Sequence, residues 1–376
     1  MSRVRAPVWP YFFKFFKYAV DIFYPAPCSS FYLVKVVAVV LILVAMLINI
    51  FSVKLSKTLQ SSLFYSKLVV LMIIILIGVV NLCNGQTRNF RAPFKNSNTN
   101  FWSYAEATYS GSYSYSGWEV IIIVLEELKN PKKNIPLSIL LSLSLVTTLY
   151  ILANIAYLTV LSPTEIMQSS TVATDFAYRT MGKWAIIVPI GVALSCFGAL
   201  NGAIMSAGRQ TSIPGRYNHV PKFFSFIHTK YFTPVIGILF NGIVAALYML
   251  PNTASFSKLL SFFSFVGWIW GALSALALIV FRYREPWKSK ARSFKVPLPV
   301  AVFVLLFSIY ELVAPFIYNP DYMYFIAVGA VLIGTIIYVP IHVWKWEFHK
   351  PLMRWITLKI QLLLSLAPEE KYRKFK

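Results

Sequence analysis

ValValAlaValValLeuIleLeuValAla, residues 36–45, decides the class of fold. A strand of a membrane β-barrel would alternate apolar and polar residues over about ten positions, and this stretch does not alternate. Extended in both directions the apolar run fills 33–51, close to the ~20 residues that an α-helix needs to cross a hydrocarbon core about 30 Å thick. Runs of the same kind recur at 64–83, 137–161, 184–207, 232–250, 259–281, 297–318 and 322–344. Two further spans are less plain. Residues 104–126 begin polar and end apolar, and 8–24 is aromatic but carries Lys14, Lys17 and Asp21. The pattern predicts an all-α polytopic membrane protein with about ten helices in a bundle over 1–344, followed by a tail over 345–376.

Composition agrees. A chain of 376 residues would make two or three soluble domains at about 150 residues each. Yet 58% of residues are hydrophobic, 16% aromatic and only 13% charged, against about 25% charged in an average globular chain. That is too few charges to coat a soluble surface, so a cytosolic enzyme and a disordered scaffold are both excluded. The net charge of +22 would suggest nucleic acid in a soluble chain. Here the basic residues sit between the apolar runs and sort the loops instead. Segments 1–7, 52–66, 127–136, 208–231, 282–296 and 345–376 hold 25 Lys and Arg, against six in 25–32, 84–103, 162–183, 251–258 and 319–321. Positive residues stay in the cytoplasm, so both termini are expected there and no nucleic-acid partner is expected. Without a helix at 8–24, Arg3 and Arg5 would fall on the opposite side.

The first residues show no clean apolar core with a small-residue cleavage site, so no cleaved signal peptide is expected. Three cysteines, Cys28, Cys83 and Cys196, are too few and scattered for a disulfide framework or a zinc site. Cys83 and Cys196 read as ordinary buried thiols. In the tail, Arg354 and Lys359 lie among Leu, Ile and Trp over 352–366. That pattern fits an amphipathic helix on the inner leaflet and a partly ordered tail equally well. The terminal LysTyrArgLysPheLys adds attraction to anionic membrane lipid.

The informative segment is AlaThrTyrSerGlySerTyrSerTyrSerGlyTrpGlu, residues 107–119. Small and hydroxylated residues fill a span that would ordinarily be Leu, Ile and Val. Non-helical backbone at membrane depth survives only where it lines a cavity or is buried in protein. Broken helices of this kind surround substrates at the bilayer midplane. The other reading is a small-residue packing seam, which the Tyr and Trp side chains in the polar part disfavour. Glu119 is a carboxylate within a span and by default a functional candidate; it binds the cationic end of a substrate, or it is a structural acid with Lys67 as a conceivable partner. Lys67 stands at the start of a span, where snorkelling to the interface is the plain explanation. Glu311, with no polar neighbours in sequence, reads as a packing or interface residue.

At these residues a family resemblance emerges. The 107–119 segment, with GluGluLeuLysAsnProLysLysAsnIlePro (126–136), resembles the sixth helix and following loop of the light subunits of heteromeric amino acid transporters. The likeness continues through LeuSerCysPheGlyAlaLeuAsnGlyAlaIle (194–204), HisValProLysPhePheSerPheIleHis (219–228), ThrProVal (233–235), SerPhePheSerPheValGlyTrp (261–268), ArgTyrArgGluPro (282–286), PheLysValProLeuPro (294–299) and AlaProGluGlu (367–370). It implies the LeuT-like inverted-repeat fold of the amino acid–polyamine–organocation superfamily and sodium-independent exchange of amino acids at the plasma membrane, with no cofactor or metal. Against the family's twelve helices, 8–24 matches the third, so the first two are expected to be missing, including a first broken helix that completes the site.

Carried over by position, backbone around Tyr113, Ser114 and Ser116 takes the substrate's α-amino group, with Tyr113 as an aromatic gate and Gly117, Trp118 and Glu119 as the further substrate-binding residues. Lys67 falls where the family places an ammonium in the space of a sodium ion. Glu119, where large-neutral exchangers carry Asn, is more similar to the subgroup exchanging cationic for neutral amino acids, and Gly267, where large-neutral members carry a polar residue, weakens a neutral-only assignment; the resemblance implies cationic and/or large neutral substrates. Cys28 takes the position of the cysteine that bonds a single-span glycoprotein heavy subunit. An enzyme is not expected, because His219, His228, His342 and His349 are at loops or span ends and no Ser/His/Asp grouping is indicated. A channel would show a charged ring or a carbonyl filter motif. The alternative to an exchanger subunit is a truncated, non-transporting remnant that only pairs with the heavy subunit.

Overall fold

The computed structural model describes residues 31–91, 99–123, 128–169, 171–248, 256–285, 296–343 and 350–368. The expected helix at 8–24 and Cys28 lie outside the described residues. In chain order the helices are α1 (Phe31–Phe51), α2 (Val53–Cys83), α3 (Tyr104–Ser114), α4 (Val120–Ile123), α5 (Pro131–Val160), α6 (Pro163–Gln168), α7 (Val172–Thr180), α8 (Ile187–Arg216), α9 (Val235–Leu247), α10 (Phe256–Tyr283), α11 (Leu298–Tyr318), α12 (Tyr322–Tyr338) and α13 (Lys350–Leu364). Two short strands, β1 (Phe226–His228) and β2 (Leu366–Pro368), complete the described elements. Six helical stretches among the described residues are long and apolar enough to cross a membrane: Val53–Cys83, Pro131–Val160, Gly182–Arg216, Lys258–Tyr283, Leu298–Tyr318 and Tyr322–Ile341. Val36–Phe51 and Val235–Leu247 are shorter apolar helices. Many large apolar side chains face outward, Ile336 at 68% and Phe303 at 67% exposure among them, as a surface solvated by lipid tails permits.

Segment 52–66, expected as a loop, is helical from Val53. Its LysLeuSerLysThrLeuGln contains neither Gly nor Pro, and the Ser52 hydroxyl caps the start by accepting the Leu55 N–H at 3.1 Å. The basic residues there mark the membrane interface, not the end of the helix. α2 consequently runs 31 residues, about 46 Å at 1.5 Å per residue, well beyond the hydrocarbon core.

The described residues divide into two compact units. One comprises those between Ser97 and Leu143 and between Thr253 and Lys350; the other those of Pro7–Asn96, Ser144–Asn252 and Pro351–Lys376.

In the second unit, glycines let α2 lie close against its neighbours. A Cβ on Gly78 would stand 2.2 Å from the Ala156 Cβ, one on Gly191 2.2 Å from Val70, and one on Gly198 3.0 Å from Leu63. Close backbone approach of this kind is how helices associate where lipid removes the hydrophobic drive. The same seam carries polar glue. Asn49 donates to Asn201 Oδ1 at 2.8 Å and the Ser56 hydroxyl to Asn49 Oδ1 at 2.8 Å, while Asn201 donates to Gln60 Oε1 at 3.2 Å. Asn49, Ser56 and Asn201 are buried. Each hydrogen bond removed here strands a buried partner, at about 1–3 kcal/mol.

Both ends of this unit are tied. At one, β1 and β2 pair antiparallel, with Phe226 opposite Pro368 and His228 opposite Leu366. Thr233 there donates to the Ile50 carbonyl at 2.8 Å. Segments 208–231 and 345–376, grouped above by their basic residues, thus meet at the end of the unit where α1 gives way to α2. At the other, Asn89 donates to the Leu158 and Leu161 carbonyls at 2.9 and 3.1 Å, joining two of the Lys/Arg-poor loops. Helix α13 forms over the ambiguous tail segment. Its Ile360 and Leu364 pack on the cluster of Phe226, Val235, Ile236 and Leu366, whereas Leu362 and Leu363 are each 81% exposed. Cys83, expected to be buried, is exposed, and Cys196 is only half-buried. Cys83 is the last residue of α2, and its side chain passes the end of the packed seam.

Candidate functional site: a broken helix

In the first unit the 104–126 span divides as its composition suggests. α3 ends at Ser114, the chain turns through 115–119, and α4 resumes at Val120. Gly117 sits at the turn with φ +110°, a conformation that a residue with a Cβ rarely adopts. Its N–H donates to Glu119 Oε2 at 2.9 Å, so the carboxylate closes a short ring over the break. Beyond it the Val120 N–H reaches the Gly117 carbonyl at 3.0 Å and helical bonding restarts. A Cβ on Gly111 or Gly117 would meet nothing within 4 Å among the described residues. A packing seam would crowd both positions, as it crowds Gly78. At Gly117 the requirement is the turn's backbone conformation, not a close contact.

The side chains expected to bind substrate point in different directions. Tyr113 is buried, its ring edge-on to Phe263 at 6.2 Å between centroids. Ser114 is exposed, and its hydroxyl donates back to the Ser110 carbonyl at 3.0 Å, so the group that it presents is backbone, not hydroxyl. Ser116 and Glu119 are half-buried, Gly117 and Trp118 exposed. Lys67 belongs to the second unit, on an exposed face of α2 with the Cys196 thiol of α8 as its neighbour.

One link escaped the sequence. Tyr109, one helical turn before Tyr113 and 1% exposed, donates its hydroxyl to the Glu311 carbonyl of α11 at 2.6 Å. The Ser264 hydroxyl of α10 donates to the Tyr109 carbonyl at 3.1 Å. α3 is thereby fastened to α10 and α11 from both ends of a single residue. The spacing of Tyr109 and Tyr113 at i and i+4 marks one buried face and was the available signal, but nothing in the sequence names the partners.

Comparison with known proteins decides what such a broken helix belongs to. The family model for amino acid permeases matches residues 8–343. The chain belongs to that family. Among the relatives of this permease, it is 35% identical over 352 residues to b(0,+)-type amino acid transporter 1 of Mus musculus, covering 92% of this chain and 72% of that protein. It is 34% identical over 339 residues to the cystine/glutamate transporter of Homo sapiens, covering 90% of this chain and 67% of that protein. Large neutral amino acids transporter small subunit 2 of Mus musculus is 32% identical over 322 residues, covering 84% of this chain and 59% of that protein. The resemblance to light subunits of heteromeric amino acid transporters is borne out, and with it the all-α polytopic fold. The permease is a transporter and not an enzyme.

Proposed function

We propose that this permease is the light subunit of a heteromeric exchanger that passes L-amino acids, cationic and large neutral, across the plasma membrane without sodium. The observation that carries the reading is the break at 115–119, where an open glycine turn and a membrane-span carboxylate stand together. The turn supplies peptide dipoles for a zwitterion's fixed groups. Glu119 supplies the one formal charge of the 107–119 segment, and a negative charge beside a side-chain pocket favours Lys and Arg. The relatives' names span different substrates, so the acid, more than the family, supports the cationic choice. Lys67 stands in place of a coupling ion. Both termini lie in the cytoplasm, and Cys28 in the first outward loop bonds a single-span glycoprotein heavy subunit, since a disulfide persists outside the cell.

The test is exchange in proteoliposomes holding the light–heavy complex, with labelled arginine and leucine. Wild-type complex is expected to take up both, and Glu119→Gln to lose arginine uptake by an order of magnitude while keeping leucine. Unchanged arginine preference would sink the cationic assignment, and no uptake of either substrate by wild type would sink the exchanger reading. Cys28→Ser is expected to remove the reducible high-mass band of the complex on a non-reducing gel; a persisting band would refute that bond.

A further inference from the structure

Glu311 is the one acidic side chain within the helix run of α11, and its exposure is 0%. Neither of its carboxylate oxygens has a hydrogen-bond partner among the described residues. Thr108 on α3 is within hydrogen-bonding reach of the carboxyl, but its hydroxyl proton goes to the Tyr104 carbonyl at 3.0 Å, which leaves the Thr108 oxygen able to accept from a protonated acid and not to donate to an ionised one. Tyr109 directs its hydroxyl to the Glu311 backbone, not to the carboxylate. Ser308, one turn earlier and also at 0% exposure, donates to the Val304 carbonyl at 2.7 Å.

Every ionisable group on the elements packed against this carboxyl has other work or no charge. From α3 come Tyr104, Tyr109, Tyr113 and Glu106, the last of which accepts from Asn319 at 3.0 Å. α10 carries Lys258, paired with Asp321 at 3.8 Å, together with Arg282, which donates to the Val296 carbonyl at its far end, and Tyr283. On α11 itself there are Tyr310, its hydroxyl on the Phe101 carbonyl at 2.7 Å, and Tyr318. α12 brings Tyr322, Tyr324, Tyr338 and the capping Asp321. The cations among them stand at helix ends with partners of their own.

An ionised carboxylate buried without a cationic partner would face a desolvation penalty of several kcal/mol, and such groups take up a proton instead. A neutral acid loses far less by burial. Its position gives that proton a mechanical meaning. The backbone of Glu311 is what Tyr109 grips, and Tyr109 lies on α3, the arm that leads into the break at 115–119. A movement of α3 that admits water to this seam would ionise the acid, and ionisation would hold the seam open.

We propose that Glu311 is a proton-binding site, occupied when α3 is seated on α11 and emptied to water when that seam opens, so that the transport cycle carries a proton-dependent step. The link to transport rests on the exchanger reading above; proton occupancy of Glu311 does not.

Two measurements separate these parts. Infrared spectra of the light–heavy complex in nanodiscs, titrated from mildly acidic to mildly alkaline buffer, are expected to show a protonated-carboxyl carbonyl band near neutrality that Glu311→Gln lacks. Identical spectra for wild type and variant overturn the proposal. If Glu311→Gln does not assemble, Glu311→Leu serves: a neutral acid replaced by an apolar side chain leaves the thermal midpoint unchanged or raised, and a marked fall would overturn the proposal by exposing an ionised, partnered carboxylate. In proteoliposomes, arginine–leucine exchange by wild type is expected to vary several-fold with pH and that of the variant to be flat; matching profiles overturn the proton-dependent step. A titrating infrared band in a complex that exchanges nothing would support the proton site and refute the exchanger reading.

Discussion

Two sets of glycines in this molecule do opposite things. In the second unit, Gly78, Gly191 and Gly198 are present because there is no room for anything else. In the first unit, Gly111 and Gly117 have room to spare, and at Gly117 the backbone itself needs the missing Cβ. Small residues in a membrane helix therefore carry two messages, contact and conformational freedom, which a one-dimensional reading cannot separate. One set is required by close helix approach, and at Gly117 the requirement is the positive φ of the turn.

The contrast is broken most directly at Gly78. A Val there would drive its Cβ into the Ala156 Cβ and backbone, with no flexible tip to yield. Overpacking of that kind is expected to destabilise by about 3 kcal/mol or more, read as a fall in the thermal midpoint or loss of assembled complex. A Gly78→Val protein of normal stability would show that the seam is not tight. Next in size is Gly117→Ala. Space is open, so the effect is backbone strain of about 1–3 kcal/mol, and uptake per assembled molecule is expected to fall while assembly persists. Equal loss of assembly and uptake would mean that this glycine is structural after all. Gly111→Ala is expected to raise stability by about 0.5–1 kcal/mol, since a helical glycine with free space gains from a methyl group. A fall would reveal a contact at the break.

The smallest effect lies in the segment between α5 and α8. The Arg179 guanidinium, with help from Ser162, holds the Glu165 carboxyl down to about 2. A depressed acid stabilises above its unfolded value and loses that contribution as pH falls through its folded one. The loop is therefore expected to be indifferent to pH from neutrality down to about the ordinary carboxyl range and to loosen only below it. Arg179→Gln raises the folded-state value, so the acid-induced loosening should become smaller and be complete at a higher pH, followed by amide exchange over 164–169. An unchanged profile would mean that Ser162 alone holds the acid.

Much of this was legible beforehand, for identifiable reasons. Apolar runs such as 36–45 place helices because a bilayer fixes their minimum length. The break at 115–119 was visible because Ser, Gly and Tyr are the wrong residues for lipid contact. What stayed hidden depends on distance along the chain. Tyr109 and Glu311 are 202 residues apart, and nothing local to either marks the other. The strands β1 and β2 are three residues each, too short for a period to show. The start of α2 at Val53 was misjudged because Lys54 and Lys57 signal an interface, and an interface does not stop a helix whose hydrogen bonds continue. Glu311 reads as a packing residue, which its burial matches; that its oxygens lack hydrogen-bond partners among the described residues could come only from three dimensions.

The strand pairing of Phe226–His228 with Leu366–Pro368 has a consequence in time. A ribosome makes β1 early and β2 only after α10, α11 and α12 have been threaded into the membrane. The second unit therefore waits, with Phe226, Val235 and Ile236 short of their cover from Leu366 and Leu364, while the intervening unit is synthesised. Any interruption of translation between residues 252 and 366 would leave that apolar end uncovered, however well the membrane helices before it had inserted.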